Sequence, residues 1–277
     1  MPGSIDAHVH VWTPDTTRYP LAAGFRREEM RPASFTPEEL LEHAKPCDVG
    51  RIVLVQMSYY GFDNSYMLDT MRRFPGVFSG VAVIDDAAAD PAAEMRRLAK
   101  QGVRGFRIQP RNQPVDRWLD GAGMRKMWQC GADERLAMCH LVNPDALPAI
   151  DRHCEEFADT PVVIDHFGRI GIDGVVRDRD VDALCRLARH KQTYVKLSAF
   201  YALGAKKSPY LDLLPLIRRL MDAFGVRRLM WATDCPYQVQ QGHNYADSIA
   251  LVRDHLGGLS AGDRQWLLRK TAEHVFL

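Results

Sequence analysis

In the stretch Ile5-Asp6-Ala7-His8-Val9-His10-Val11-Trp12, apolar residues alternate with Asp6, His8 and His10. A period of two residues is typical of a β-strand, and it predicts a strand near the start of the chain. Because side chains two residues apart on a strand lie on the same face, His8 and His10 are expected side by side. Two imidazoles placed in this way can bind one metal ion or one ligand.

Further short segments rich in valine and isoleucine recur along the chain, and each gap between them is long enough for a helix. They are Arg51–Met57, Phe78–Ile84, Val103–Ile108, Leu136–Leu141, Pro161–His166, Thr193–Ser198 and Arg228–Asp234. Strands that alternate with helices in this way predict a single-domain (β/α)8 barrel, the TIM barrel, over residues 1–277. A doubly wound open sheet is the alternative, but no glycine-rich phosphate-binding motif follows a strand.

Several predicted helices begin with a capping residue followed by proline. Thr36-Pro37-Glu38-Glu39 combines a cap hydroxyl, a proline at the first helical position and a glutamate three residues after the cap. The pairs Asp90-Pro91, Asn143-Pro144 and Ser208-Pro209 repeat the cap and the proline ahead of amphipathic segments. Each of them predicts the start of a helix.

The longest predicted loop, Thr13–Phe35, follows the first strand. In a barrel this loop lies over the catalytic face, where it could act as a lid. Its arginines face either an acidic ligand or, as is commoner for loops, the solvent. They are Arg18, Arg26, Arg27 and Arg31.

The composition disfavours several classes of protein. The formal charge is +1, from 36 basic and 35 acidic residues, and no long basic run indicates a nucleic-acid surface. The 6 cysteines lack CxxC spacing and are expected to be reduced thiols. No apolar run reaches membrane-spanning length, and no signal-peptide core is recognisable. We expect a cytoplasmic protein with a small-molecule partner; a homo-oligomer is compatible with the sequence.

Active sites of such barrels form at the carboxyl ends of the strands. His8 and His10 end the first strand, His140 the fifth, His166 the sixth and Asp234 the eighth. Imidazoles together with a carboxylate suit zinc or a similar divalent ion. Any one of these histidines could instead be a structural residue with satisfied hydrogen bonds, so the set as a whole carries the prediction of a site.

Six stretches together resemble the amidohydrolase superfamily, in the branch that holds lactone hydrolases and non-oxidative decarboxylases of unsaturated carboxylic acids. They run in the family's order over nearly the whole chain. They are Asp6-Ala7-His8-Val9-His10-Val11-Trp12, Val55-Gln56-Met57-Ser58-Tyr59-Tyr60-Gly61-Phe62-Asp63-Asn64, Gly102-Val103-Arg104-Gly105-Phe106-Arg107, Val163-Ile164-Asp165-His166-Phe167-Gly168-Arg169, Val195-Lys196-Leu197-Ser198 and Trp231-Ala232-Thr233-Asp234-Cys235-Pro236.

The resemblance implies that His8, His10 and Asp234 bind a metal ion or polarise the substrate, with His140 or His166 completing the set. Two-metal members of the superfamily carry a modified lysine at the end of the fourth strand, where this chain has Arg107. At most one divalent metal ion, with zinc expected, is therefore implied. The resemblance also extends to lactonases that work without a metal.

For hydrolysis, Asp234 would take the proton from the attacking water and pass it to the departing alkoxide, with His166 assisting. Arg107 and Arg111 are candidates to bind a carboxylate of the substrate, because a guanidinium fork matches a carboxylate, although either could form a structural salt bridge. Further candidates to hydrogen-bond the substrate, each of which could instead be a packing residue, are Gln56, Tyr59, Tyr60, Ser198 and Tyr201.

The sequence therefore predicts a hydrolase that opens a lactone bearing a carboxylate or several hydroxyl groups. A metal-dependent decarboxylase on the same scaffold is the first alternative, and a catalytically silent barrel that only binds a ligand is the second. Release of carbon dioxide would indicate decarboxylation, whereas lactone opening releases a proton and keeps every carbon atom.

Overall fold

Eight parallel strands follow one another around a single sheet in chain order. The computed structural model describes residues 3–110 and 113–277. The strands are β1 (Ser4–Val9), β2 (Val49–Val55), β3 (Phe78–Ala82), β4 (Val103–Ile108), β5 (Ala137–His140), β6 (Val162–Ile164), β7 (Thr193–Leu197) and β8 (Leu229–Trp231). A parallel bridge between Val9 and Cys235 joins the two ends of the sheet. The predicted (β/α)8 barrel is confirmed, in a nearly closed form.

Helices follow the strands and surround the barrel. They are α1 (Pro37–Ala44), α2 (Ser65–Arg73), α3 (Pro91–Ala99), α4 (Ala122–Glu134), α5 (Leu147–Glu156), α6 (Asp178–Arg186), α7 (Leu214–Phe224), α8 (Tyr245–Ala250), α9 (Ala261–Gln265) and α10 (Thr271–Phe276). None of the helices in the described ranges is both long and apolar enough to cross a lipid bilayer.

Three of the four predicted helix starts are confirmed. The Thr36 hydroxyl accepts a hydrogen bond from the amide of Glu39, whose side chain accepts one from the amide of Thr36. Asp90 caps α3 in a similar way, and a short 3-10 turn that begins at Pro144 leads into α5. The prediction at Ser208 is wrong, because its hydroxyl donates to the carboxylate of Asp247 and α7 begins only at Leu214.

A bulge in β1 decides which side chains enter the barrel. Asp6 pairs with Ile52 and Val9 with Leu54, so three residue steps on β1 match two on β2. A bulge of this kind interrupts the alternation of side chains between the two faces. Asp6 therefore lies against α8, whereas His8 and His10 both point into the barrel, with their Nε2 atoms 3.3 Å apart. The expected juxtaposition of the two histidines is confirmed, but Asp6 does not share their face.

The buried carboxylate of Asp6 closes the barrel. It accepts hydrogen bonds from the amide of Thr233 at 2.9 Å, the hydroxyl of Thr233 at 2.5 Å and the hydroxyl of Tyr245 at 2.7 Å. Burial raises the pKa of Asp6 to about 6, against the opposing effect of these hydrogen bonds. Because Thr233 follows β8, these bonds hold the last strand against the first one.

Replacement of Tyr245 by phenylalanine tests this closure. Removal of the hydroxyl deprives a buried carboxylate of one donor, so we expect the free energy of unfolding to fall by about 1.5–3 kcal/mol. Urea titration measures the change. Tyr194→Phe is the matched control, because that hydroxyl makes only a 3.5 Å contact with Gln192. Equal losses in the two variants would contradict the role assigned to Tyr245.

Candidate active site

Four of the five predicted site residues meet at the carboxyl end of the barrel. The Oδ1 atom of Asp234 lies 3.5 Å from Nε2 of His8, 3.4 Å from Nε2 of His10 and 3.7 Å from Nε2 of His166. All four residues are buried. Three ring nitrogens therefore surround one carboxylate oxygen. We call these four residues the His–Asp centre.

The hydrogen-bond partners of His8 and His10 define which nitrogen carries the hydrogen. Nδ1 of His10 lies 2.8 Å from the carbonyl oxygen of Val55, and since a carbonyl only accepts, this nitrogen donates. Nη2 of Arg107 lies 2.8 Å from Nε2 of His8, and Nζ of Lys196 lies 3.2 Å from Nδ1 of the same ring. Both cations only donate, and the shorter contact makes Nε2 the acceptor. Nε2 is therefore the acceptor nitrogen of His8, and Nε2 of His10 is the nitrogen that faces the carboxylate of Asp234.

A buried network of charges orients His8 from its other side. Its Nδ1 lies 3.4 Å from Oδ1 of Asp165, which is 3.0 Å from Nζ of Lys196. Burial, reinforced by the charge of Lys196, holds the pKa of His8 well below its ordinary value. His8 is therefore neutral near pH 7, the state in which Nε2 can act as a ligand or an acceptor.

His166 reaches the His–Asp centre through an unusual turn. β6 ends at Ile164, earlier than the sequence predicted, and His166 and Phe167 follow with left-handed φ values of 52° and 55°. Such conformations are uncommon outside glycine and are concentrated at functional sites. Nδ1 of His166 contacts the hydroxyl of Ser198 at 2.8 Å. Burial lowers the pKa of His166 to about 4, so this ring is also neutral near pH 7.

Asp234 is held in an ionised state and in one orientation. The hydroxyl of Tyr201 donates to its Oδ2 at 2.7 Å, which leaves Oδ1 for the three histidines. Burial raises the pKa of Asp234, but the proximity of His166 and a hydrogen bond with His10 outweigh that effect and hold it below its ordinary value. The carboxylate is therefore available as a base or a ligand at neutral pH.

His140 does not reach the His–Asp centre, which corrects its assignment as a metal ligand. Its neighbour Cys139 faces the barrel interior, so the alternation along β5 turns His140 toward the surrounding helices. There its ring packs 5.5 Å from Trp118 and 5.4 Å from Trp128, between ring centroids. Among the described residues, the group able to hold a metal ion comprises His8, His10 and Asp234.

The His–Asp centre lies at the floor of a cavity of about 650 Å³. Of the residues predicted to bind substrate, those that line the cavity are Gln56, Arg107 and Tyr201. The amide of Gln56 already donates to the carbonyl of Asp63, and the hydroxyl of Tyr201 donates to Asp234. Arg111 lies outside the described residues.

Three residues predicted to bind the substrate contact other residues of the protein instead. The hydroxyl of Tyr59 accepts a hydrogen bond from the amide of Arg31, and that of Tyr60 accepts one from the amide of Thr13. Both tyrosines therefore anchor the loop 13–35 above the barrel. Ser198 is fully buried and contacts the ring of His166. We infer that it orients this histidine and does not touch the substrate.

Arg169 is a candidate that the sequence analysis did not single out. It lines the main cavity and a neighbouring cavity of about 360 Å³, and its φ is 57°. Among the described residues, no carboxylate forms an ion pair with it. The sequence feature that could have identified Arg169 is its place at the end of the stretch Val163-Ile164-Asp165-His166-Phe167-Gly168-Arg169.

The His–Asp centre has the dimensions of a metal site. The distances among its ligand atoms in His8, His10 and Asp234 are 3.3, 3.4 and 3.5 Å. In tetrahedral zinc coordination, bonds of 2.0–2.1 Å separate the ligand atoms by about 3.3–3.4 Å. The partners of the Nδ1 atoms, the carbonyl of Val55 and the carboxylate of Asp165, are of the kind that orient metal-binding imidazoles. The residues fit one divalent ion. The guanidinium of Arg107, however, donates a hydrogen bond to Nε2 of His8, the nitrogen that would bind the ion.

The comparisons with known proteins identify the family of this chain. The amidohydrolase family model matches residues 5–277. A 4-sulfomuconolactone hydrolase from Hydrogenophaga intermedia is 29% identical over 91% of this chain and 82% of its own length. An L-fucono-1,5-lactonase from Burkholderia ambifaria is 28% identical over 86% of this chain and 82% of its own length.

Solved structures extend the likeness of fold. An amidohydrolase from Burkholderia multivorans with bound zinc has a TM-score of 0.82 at 22% identity and covers 99% of this chain and 98% of that one. Solved decarboxylases share the fold at 14% and 12% identity with a TM-score of 0.69. At these identities the likeness shows the fold alone, so the lactone hydrolases are the better guide to the reaction. This chain belongs to the amidohydrolase family and is a hydrolase.

Proposed function

We propose that this chain opens a lactone that carries an acidic group, by attack of water on the ring carbonyl. The observation that carries the proposal is the contact of one ionised oxygen of Asp234 with Nε2 of His8, His10 and His166 at the floor of a cavity. Such a centre offers a base for water beside groups that stabilise negative charge. The names of the related lactone hydrolases support the same reaction.

In the proposed reaction Asp234 is the general base. Tyr201 holds Oδ2, and Oδ1 accepts the proton of the attacking water and passes it to the alkoxide that leaves when the ring opens. His166 is neutral near pH 7, and when its Nδ1 accepts from Ser198, Nε2 donates. That donor would stabilise the charge that develops on the carbonyl oxygen.

We propose that His8, His10 and Asp234 also hold one divalent ion, zinc by the type of its ligands. When bound, such an ion supplies the Lewis acidity that lowers the pKa of water to about 7 and polarises a carbonyl. Arg107 would then have to break the contact of 2.8 Å between its Nη2 and Nε2 of His8. Its released guanidinium would face the cavity, where it could bind the acid of the substrate.

The acidic group of the substrate is inferred from two arginines of the cavity wall. Arg107 and Arg169 both line the cavity, and guanidinium groups bind carboxylates and similar anions through paired hydrogen bonds. Arg107 already contacts Asp165 at 3.1 Å, whereas Arg169 has no ion pair among the described residues. Arg169 is therefore the residue with an unmet preference for an anion.

Asp234→Asn tests the assigned base. We expect kcat/KM for lactones that carry a carboxylate to fall by about 10²–10⁴, the usual contribution of a general base. Proton release in a pH-stat follows ring opening, with a parallel assay for carbon dioxide. Asp173→Asn is the matched control, since this exposed aspartate pairs with Arg177 at the surface. Release of carbon dioxide by the wild type, or unchanged activity of Asp234→Asn, would refute the mechanism.

Zinc affinity tests the proposed metal site independently of activity. We expect about one zinc ion per chain after zinc incubation and gel filtration, and loss of that ion in His10→Ala. Arg107→Met should tighten zinc binding by about ten-fold or more, because it removes a charged donor from the lone pair of His8. A chelator titration measures the affinity, and Arg169→Met is the control. Failure of the wild type to bind zinc, or equal affinities in the two arginine variants, would contradict the assignment.

Arg169→Met tests recognition of the acid. We expect KM for a lactone that carries a carboxylate to rise about ten-fold, because a hydrogen bond to a charged group is lost. KM for the neutral lactone with the same ring should stay within about two-fold. Arg177→Met, at a surface pair with Asp173, is the control. An equal rise for the acidic and the neutral lactone would show that Arg169 does not select the acid.

A further inference from the structure

The outer wall of the cavity is apolar, in contrast to its floor. The loop 13–35 contributes Ala22, Ala23 and Phe25 to the wall, and the segment after β2 contributes Phe62. On the opposite side the wall is formed by Ile172 and Leu203. A bound molecule that contacts the His–Asp centre and extends toward solvent would pass between these two apolar surfaces.

The arginines of the loop do not contribute to this wall. The side chain of Arg18 is 69% exposed beside Asp69, and that of Arg26 is 76% exposed and paired with Glu29. Arg31 donates to the carbonyl of Met30. The loop therefore directs its charged side chains away from the cavity and its small and aromatic residues toward it.

Phe25 is held at the mouth of the cavity although it is exposed. Its ring packs edge-on against Tyr59 with a centroid distance of 5.6 Å, and its amide donates to the carbonyl of Ala22. The amide of Ala22 in turn donates to the carbonyl of Tyr59. Phe25 remains 37% exposed and Phe62 46% exposed. Large apolar side chains fixed in contact with solvent at a cavity mouth are typical of a surface that binds a ligand.

Two polar side chains that line the cavity are engaged within the protein. The amide of Gln56 donates to the carbonyl of Asp63, and the hydroxyl of Tyr201 donates to Asp234. A ring decorated with several hydroxyl groups requires many free donors and acceptors, since each hydroxyl that is buried without a partner is unfavourable. Most of the other residues that line the cavity are apolar, so the lining is better suited to an apolar substituent than to a polyhydroxylated one.

We propose that the preferred substrate carries an aryl or alkyl substituent on its lactone ring in addition to its acidic group, and that Phe25 and Phe62 select this substituent. The inference rests on the proposed lactone hydrolysis and specifies the substrate class of the same cavity. The acid lies toward Arg107 and Arg169, the ring carbonyl lies at the His–Asp centre, and the apolar substituent contacts the two phenylalanines at the mouth.

The test compares two lactones with the same ring and the same carboxylate, one bearing a methyl group and the other a phenyl group. We expect the wild type to prefer the phenyl compound in kcat/KM by about ten-fold or more, since more apolar surface is buried. Phe25→Ala and Phe62→Ala should each reduce this preference about five-fold, which corresponds to the loss of one aromatic contact. Phe25→Leu should retain most of it.

Leu211→Ala is the matched control, because Leu211 is 47% exposed and does not line the cavity. The preference of Leu211→Ala for the phenyl over the methyl lactone should equal that of the wild type. Turnover of the methyl compound should show that every variant is folded. An equal preference in Phe25→Ala and the wild type, with both lactones opened, would overturn this inference but leave the proposed function standing. Absence of lactone opening by the wild type would overturn both.

Discussion

The buried carboxylate of Asp165 contacts Nζ of Lys196 at 3.0 Å, Nη2 of Arg107 at 3.1 Å and Nδ1 of His8 at 3.4 Å. A charge buried without partners is highly unfavourable, and removal of one member of a buried ion pair costs about 3–5 kcal/mol. The contacts of Asp165 with Lys196 and His8 therefore hold His8 with Nε2 toward Asp234. With neutral imidazoles, the two carboxylates balance the two cations, so a divalent ion would leave the site positive and favour an acidic substrate.

The sequence was sufficient to predict the barrel and the meeting of most residues of the His–Asp centre. Strands of a parallel sheet are buried on both faces and therefore form apolar runs that are recognisable without a structure. Polar residues at the ends of those runs, such as His10 and Asp234, are exceptions to that pattern, and the barrel topology brings them together. The capping residues Thr36 and Asp90 were predictable for a similar reason, because a cap depends on residues adjacent in sequence.

The remaining assignments required the three-dimensional structure because they depend on single-residue shifts and on partners distant in sequence. A bulge interrupts the alternation of side chains between the two faces of a strand, and the bulge in β1 separates Asp6 from His8. The regular alternation along β5 turns His140 outward. A tyrosine hydroxyl such as that of Tyr201 binds whichever group lies nearest, here Asp234, and that neighbour is set by the tertiary structure. Arg169 stood in a recognised stretch, but only the absence of an ion pair among the described residues distinguishes it.

The central claim is that water attacks the ring carbonyl of a lactone at the centre formed by His8, His10, His166 and Asp234. The most direct test is mass spectrometry of the product formed from an acidic lactone in water enriched in heavy oxygen. We expect a ring-opened hydroxy acid that retains every carbon atom and carries one labelled oxygen in its new carboxylate. Loss of carbon dioxide, or a product without the label in that carboxylate, would contradict it.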